Sequence, residues 1–194
     1  MIAGLVLFAT LIAYRLLPVL LGMTLEQPAW LPNFSPMASV CLCSAAFLPR
    51  RLAIAVPLAA LLGTDLVLNS HYGFPLFTVE FFGKTIAFAA VAALGWMLRK
   101  NARPGVIAPA VLASSFFFYI VTNTASWLYE PGYAKTIAGW VQALTTGLLG
   151  YPQTWTFYRN TLVADVLFTA LFLVCIRTGK PAPIAAIQTA GAIR

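Results

Sequence analysis

The stretch AALLGTDLVLNSHYGFP, residues 59–75, decides how this chain is read. Up to Thr64 it is an apolar run suited to a helix in hydrocarbon, and Leu66, Val67 and Leu68 continue it before Asn69 opens a polar turn. Asp65 lies inside the run. A carboxylate there is costly in lipid, and in membrane proteins such groups face a protein interior or an aqueous cavity and find partners. The remainder of the chain has to supply that interior.

Composition places the whole chain in a bilayer. Of its 194 residues 61% are hydrophobic and 9% charged, and mean hydropathy is +0.87. Soluble domains carry about a quarter charged residues. The net charge of +7 does not indicate nucleic acid. Its basic residues lie in short clusters between apolar runs and form no continuous stripe. Cys41, Cys43 and Cys175 fall in apolar segments and read as small buried side chains, not a disulfide framework. No basic n-region precedes the first apolar run, so that run reads as a retained helix and not a cleaved signal.

Apolar runs at about 2–22, 35–49, 52–69, 76–98, 106–129 and 159–177 predict six spans, since about 20 residues cross the hydrocarbon core. The second and third are short and call for tilt or local thinning. Between the fifth and sixth, IAGWVQALTTGLLG is too short and too rich in Gly and Thr for a span, and predicts an interfacial or re-entrant helix. Eight of the 12 basic residues (Arg50, Arg51, Arg99, Lys100, Arg103, Arg177, Lys180 and Arg194) follow spans two, four and six. The positive-inside bias puts those turns and both termini in the cytoplasm. The expected fold is therefore all-α integral membrane, with six transmembrane helices in one domain over 1–180 and a cytoplasmic tail at 181–194.

On that topology every ionisable residue within a span lies in its outer half: Arg15, Asp65, Glu80, Lys84, Arg159 and Asp165. Two readings stand. The three cations and three anions form an internal network that fixes helix register, or they line a pocket open to the outside. Aromatic residues crowd the outer loops and would suit both an interfacial belt and stacking on a ring-bearing ligand. Asp65, Asn123, Arg159 and Asp165 are the pocket candidates, with Trp127 and Tyr72 as stacking surfaces. Arg159 is the expected partner of Asp65, ahead of Lys84 and Arg15, because its planar fork can hold a carboxylate through two hydrogen bonds.

Catalytic and metal chemistry are not expected. The one histidine rules out two-histidine zinc motifs. The chain has no nucleophile elbow, phosphate-binding loop, dinucleotide fingerprint or CxxC pair. No cofactor is expected, and any uphill transport would draw its energy from a partner.

PNFSPMA (32–38), PLAALLGTDLVLN (57–69), FFFYIVTNTASWL (116–128), YAKTIAGW (133–140) and FYRNTLVADVLF (157–168) together resemble a bacterial membrane family of unknown function. Its pattern reads N-F-(S/T)-P, S-D-L, T-N-x-x-x-W, Y-x-x-T-x-x-G and N-x-L-x-G-D. Thr64 here stands for the usual serine and Ala164 for the usual glycine. The resemblance puts Asn33, Asp65, Asn69, Asn123, Trp127, Thr136, Asn160 and Asp165 at the family's polar positions. That family in turn resembles the substrate-binding S-components of energy-coupling factor transporters, six-helix proteins with a vitamin pocket near the outer face. The likeness implies docking of a coupling subunit and ATPases through small residues on the first helix, here Ala9 and Ala13. Such spacing also packs ordinary membrane helices.

The leading expectation is a vitamin-uptake binding protein of the bacterial cytoplasmic membrane, with the bilayer and a small-molecule ligand as partners. The alternative is an accessory subunit of a larger membrane complex without a ligand. A proton-coupled carrier using Glu80 and Asp165 is a weaker third, since no inverted repeat is visible.

Overall fold

Prolines, a left-handed glycine and threonine caps set most of the helix boundaries. The structure, a computed structural model, describes residues 9, 12–22, 33–75 and 77–178. Residues 12–15 are helical and lead to α1 (Leu17–Leu20). Pro36 precedes α2 (Met37–Phe47), and Leu48-Pro49 separates it from α3 (Arg50–Tyr72). Leu48 is extended there, as a residue before proline prefers. Gly73, at φ +72°, ends α3 in the left-handed conformation that favours glycine. Thr78 caps α4 (Val79–Leu98) by accepting the Phe81 N–H at 3.2 Å. A 3-10 turn, Arg99–Asn101, leads to α5 (Pro104–Tyr129), which opens on proline. Thr136 caps α6 (Ile137–Leu144), and α7 (Thr154–Thr178) follows.

Four helices are long and apolar enough to cross a membrane: α3, α4 with its following turn, α5 and α7. They take up the expected third to sixth spans. Residues 2–8, 10 and 11 of the expected first span, and the tail at 181–194, lie outside the described residues. The expected second span differs. It is the 11-residue α2, about 16 Å long, roughly half of a 30 Å hydrocarbon core. Prolines at 36 and 49, at the two ends of the expected run, bound the helix. The short helix expected between the last two spans is the eight-residue α6.

α2 is the axis of the molecule. All ten residues from Met37 to Ala46 are buried, and the helix packs on α3, α4, α5 and α7. Leu42, Val91, Ile107, Val111, Phe168 and Phe172 belong to one central cluster. Gly95 allows α4 to close on α2; a Cβ there would stand 2.9 Å from the Ala45 Cβ and 3.1 Å from the Leu42 Cα. The long helices point apolar side chains outward, among them Leu66, Phe82, Ile86, Met97, Phe116, Val166 and Leu171. An apolar outside around a packed centre suits lipid, not water.

α4, α5 and α7 form a continuous wall with α5 in the middle, and α3 joins it chiefly through α2. The basic turns meet at one end. Arg99 donates to the Leu48 carbonyl, and the guanidiniums of Arg50 and Arg99 lie 5.7 and 5.0 Å from the Trp96 ring centre. The other end collects Asn33, the C-termini of α3 and α5, and the N-termini of α4 and α7.

Candidate functional site

Two buried carboxylates organise the polar end, and each is satisfied differently. Asp65 is 3% exposed. Its Oδ1 accepts Arg15 Nη2 at 2.5 Å and its Oδ2 accepts Lys84 Nζ at 2.9 Å. The acid thus ties α3 to α4 and to the segment before α1. Arg159, expected here, is elsewhere. Its guanidinium lies 5.4 Å from the Trp155 ring centre, and Nε and Nη2 both donate to Asn160 Oδ1 at 3.2 Å. The reason is geometric: α2 lies between α3 and α7, so two residues of similar depth face different neighbours.

Asp165 takes neutral donors. It is fully buried. Its Oδ1 accepts the backbone N–H of Ser39 at 2.9 Å and its Oδ2 accepts Ser115 Oγ at 2.7 Å. Ser39 is the third residue of α2, so the carboxylate covers an N–H that the helix itself leaves unbonded. Ser39 Oγ donates back to the Pro36 carbonyl at 2.8 Å. The N-F-S-P block and the second aspartate of the family pattern meet at this helix end.

Beside it, between α5 and α7, lies a cleft of about 320 Å³. Asn33, Ser115, Thr122, Asn123, Ser126 and Thr161 supply polar groups, and Phe118, Tyr119, Phe157 and Tyr158 supply rings. Among the described residues no charged side chain lines it. Asn33 sits at φ +59°, a left-handed corner that asparagine tolerates better than most residues. That corner brings its carbonyl to Thr161 Oγ1, which donates at 2.8 Å. Asn123 Nδ2 donates to the Tyr119 carbonyl at 2.8 Å, and the Tyr119 and Tyr158 rings lie 4.7 Å apart. The Tyr119 hydroxyl donates to the Leu144 carbonyl, fixing α6 against α5.

Of the eight residues picked from the sequence, Asn33 and Asn123 line the cleft. Asp165 sits next to it through Ser115. Asp65 belongs to the separate ion cluster. Asn69 Nδ2 donates to the Pro75 carbonyl at 3.3 Å, and Tyr72 packs edge-on against His71. Trp127 Nε1 donates to the Ala134 carbonyl at 2.9 Å, bracing the loop before α6. The motif residues Thr136 and Gly139 have a local role as well: Thr136 Oγ1 accepts the Gly139 N–H at 3.2 Å. Of the cleft's main wall, sequence reading found Asn123 alone. Ser115, Phe118, Tyr119, Thr122, Asn123 and Ser126 recur at three- and four-residue spacing, a single helix face. That stripe was the available signal.

The chain belongs to the family described as Family of unknown function (DUF6580), which matches residues 1–183 and so includes all the motif blocks. No curated protein and no solved structure matches it.

Proposed function

We propose that the protein is a membrane-embedded binding protein for an uncharged, ring-bearing solute of vitamin size, serving uptake in the manner of an S-component. The observation that carries this reading is the cleft between α5 and α7. Its volume of about 320 Å³ falls at the lower end of the roughly 300–1,000 Å³ typical of small-molecule sites. Aromatic faces alongside hydroxyl and amide groups suit a flat ring carrying hydrogen-bonding substituents. With no charge among the described residues of its lining, the cleft suits a neutral solute better than an ion. The basic end would face the cytoplasm of a bacterial cell and the cleft the outside. Ala9 and Ala13, both exposed, would offer the contact for a coupling subunit and its ATPases. Binding, not chemistry, is the assigned task.

The test is native mass spectrometry of gently purified protein, followed by a panel of vitamin-sized solutes. A bound solute is expected, held about tenfold more weakly in Asn123→Leu for each hydrogen bond removed. Failure of the whole panel, with nothing co-purifying, would remove the reading.

One observation favours the alternative of an accessory subunit: Asp65 and Asp165 are both satisfied by the chain's own donors. Under that reading the polar end is scaffolding. A stable larger complex, obtained by mild extraction and containing no small molecule, would support it.

A further inference from the structure

At the basic end, away from the cleft, α3 and α4 part around α2 and leave an apolar groove of about 350 Å³. Leu58 and Leu61 of α3 face Ala89 and Ala93 of α4 across it, Ala45 of α2 contributes to its lining, and Trp96 stands at one end. Three alanines on α4, Ala89, Ala92 and Ala93, keep that wall shallow. From Thr85 to Trp96 the lining runs about 16 Å along α4, roughly half of a 30 Å hydrocarbon core and hence one leaflet. A helix, about 10 Å across with its side chains, would rest on such a groove and leave its floor unfilled. A single hydrocarbon chain fits.

The Trp96 end is strongly cationic. Arg50 and Arg99 both lie over the Trp96 ring. Arg51, Lys100 and Arg103 are close in sequence, with no acid among them. Arg99 spends Nη2 on the Leu48 carbonyl, while its Nη1 is buried and has no hydrogen-bond partner among the described residues. A buried guanidinium nitrogen without an acceptor marks a place where an acceptor belongs. The first intrahelical bond of α3 runs from the Ala53 N–H to the Pro49 carbonyl. The N–H groups of residues 50–52 therefore point out of the helix end, a geometry that receives anions.

We propose that this groove is a binding site for an anionic phospholipid, with one acyl chain between α3 and α4 and the phosphate on Arg50 and Arg99. The two halves require each other: the groove selects hydrocarbon, and the arginines select an anion at its end. Basic pockets between membrane helices recognise acidic headgroups by the same physics. The site is separate from the cleft, so it stands or falls independently of the solute reading.

The experiment uses the purified full-length protein, with native mass spectrometry after adding dioleoylphosphatidylglycerol, dioleoylphosphatidylcholine or inorganic phosphate. Retention of the glycerol lipid at least about tenfold over the choline lipid is expected, with no retention of phosphate alone. Arg50→Gln should weaken the glycerol lipid about fivefold at unchanged thermal stability. Ala93→Phe, which fills the groove and keeps every charge, should abolish retention. Arg99 is left intact because it also holds the end of α2. Equal retention of both lipids with no effect of Arg50→Gln would overturn the proposal. So would phosphate binding as well as the lipid, or a partner helix cross-linked at position 93 in lipid-free protein.

Discussion

Asp165 accepts the backbone N–H of Ser39 at 2.9 Å, which places a carboxylate from α7 on the N-terminus of α2. At the opposite terminus Arg99 donates to the Leu48 carbonyl. A helix carries about half a positive charge at its start and half a negative charge at its end. The two side chains match that polarity. With Met37 to Ala46 all buried, water is not at hand to serve α2's unbonded groups, and neighbouring helices serve them instead.

Removing the acceptor should therefore be felt. Asp165→Ala leaves the Ser39 N–H and the Ser115 hydroxyl without partners, each costing about 1–3 kcal/mol. A total near 3 kcal/mol is expected, read as lowered thermal stability in detergent. Asp165→Asn keeps one carbonyl acceptor and should lose about half as much. An alanine variant as stable as the parent would refute the capping role.

The Asp65 cluster makes a second prediction. Breaking a buried pair from one side costs about 3–5 kcal/mol because the other charge is left alone. Asp65→Ala should fall in that range. In a double-mutant cycle, Asp65→Asn and Lys84→Gln should couple by more than about 0.5 kcal/mol, whereas Asp65→Asn and Arg159→Gln should be additive. Coupling to Arg159 in place of Lys84 would contradict the geometry.

Tyr119→Phe tests the tie between α5 and α6. The ring and its contact with Tyr158 stay, and only the hydroxyl bond to Leu144 is lost. A loss of about 1 kcal/mol is expected, together with faster proteolysis in the 145–153 connection. Unchanged proteolysis would show that α6 is held by other contacts.

Two glycines give an internal comparison. Gly95→Ala forces a methyl against Leu42 and Ala45, and overpacking of this kind costs about 1–3 kcal/mol. Gly63, in the middle of α3, has nothing within 4 Å of the place a methyl group would take, so Gly63→Ala should be neutral or mildly stabilising by up to about 1 kcal/mol. Equal effects at the two positions would argue against close α2–α4 packing.

The long helices were legible because a spanning helix must be apolar over its whole length, and composition records that directly. α3, α4, α5 and α7 follow from it. The length of α2 was less legible. A helix buried on every side has no polar face, so its residues run into the flanking apolar stretch, and only Pro36 and Pro49 mark where it stops. Pairing was least legible. Depth along the membrane allowed Arg15, Lys84 or Arg159 on Asp65, while the choice depends on rotation about each helix axis and on α2 standing between α3 and α7. The cleft was half legible. Asn33 and Asn123 were visible as polar residues in apolar surroundings, but the hydroxyl and aromatic stripe of α5 was overshadowed by the more numerous aromatics of the loops.

The shortness of α2 also bears on the order of assembly. An 11-residue helix is too short to be held across a bilayer by its own hydrophobicity. The group that covers its leading end arrives 126 residues later in the chain, on the last of the described helices. Until α7 is made, the Ser39 amide lacks its acceptor, and a half-length apolar segment waits among helices that do not yet enclose it. The making of α7 thus secures the centre of the molecule. A chain interrupted before residue 154 should be recognised by the cell's membrane proteases as unfinished, although three of its four long helices are already present.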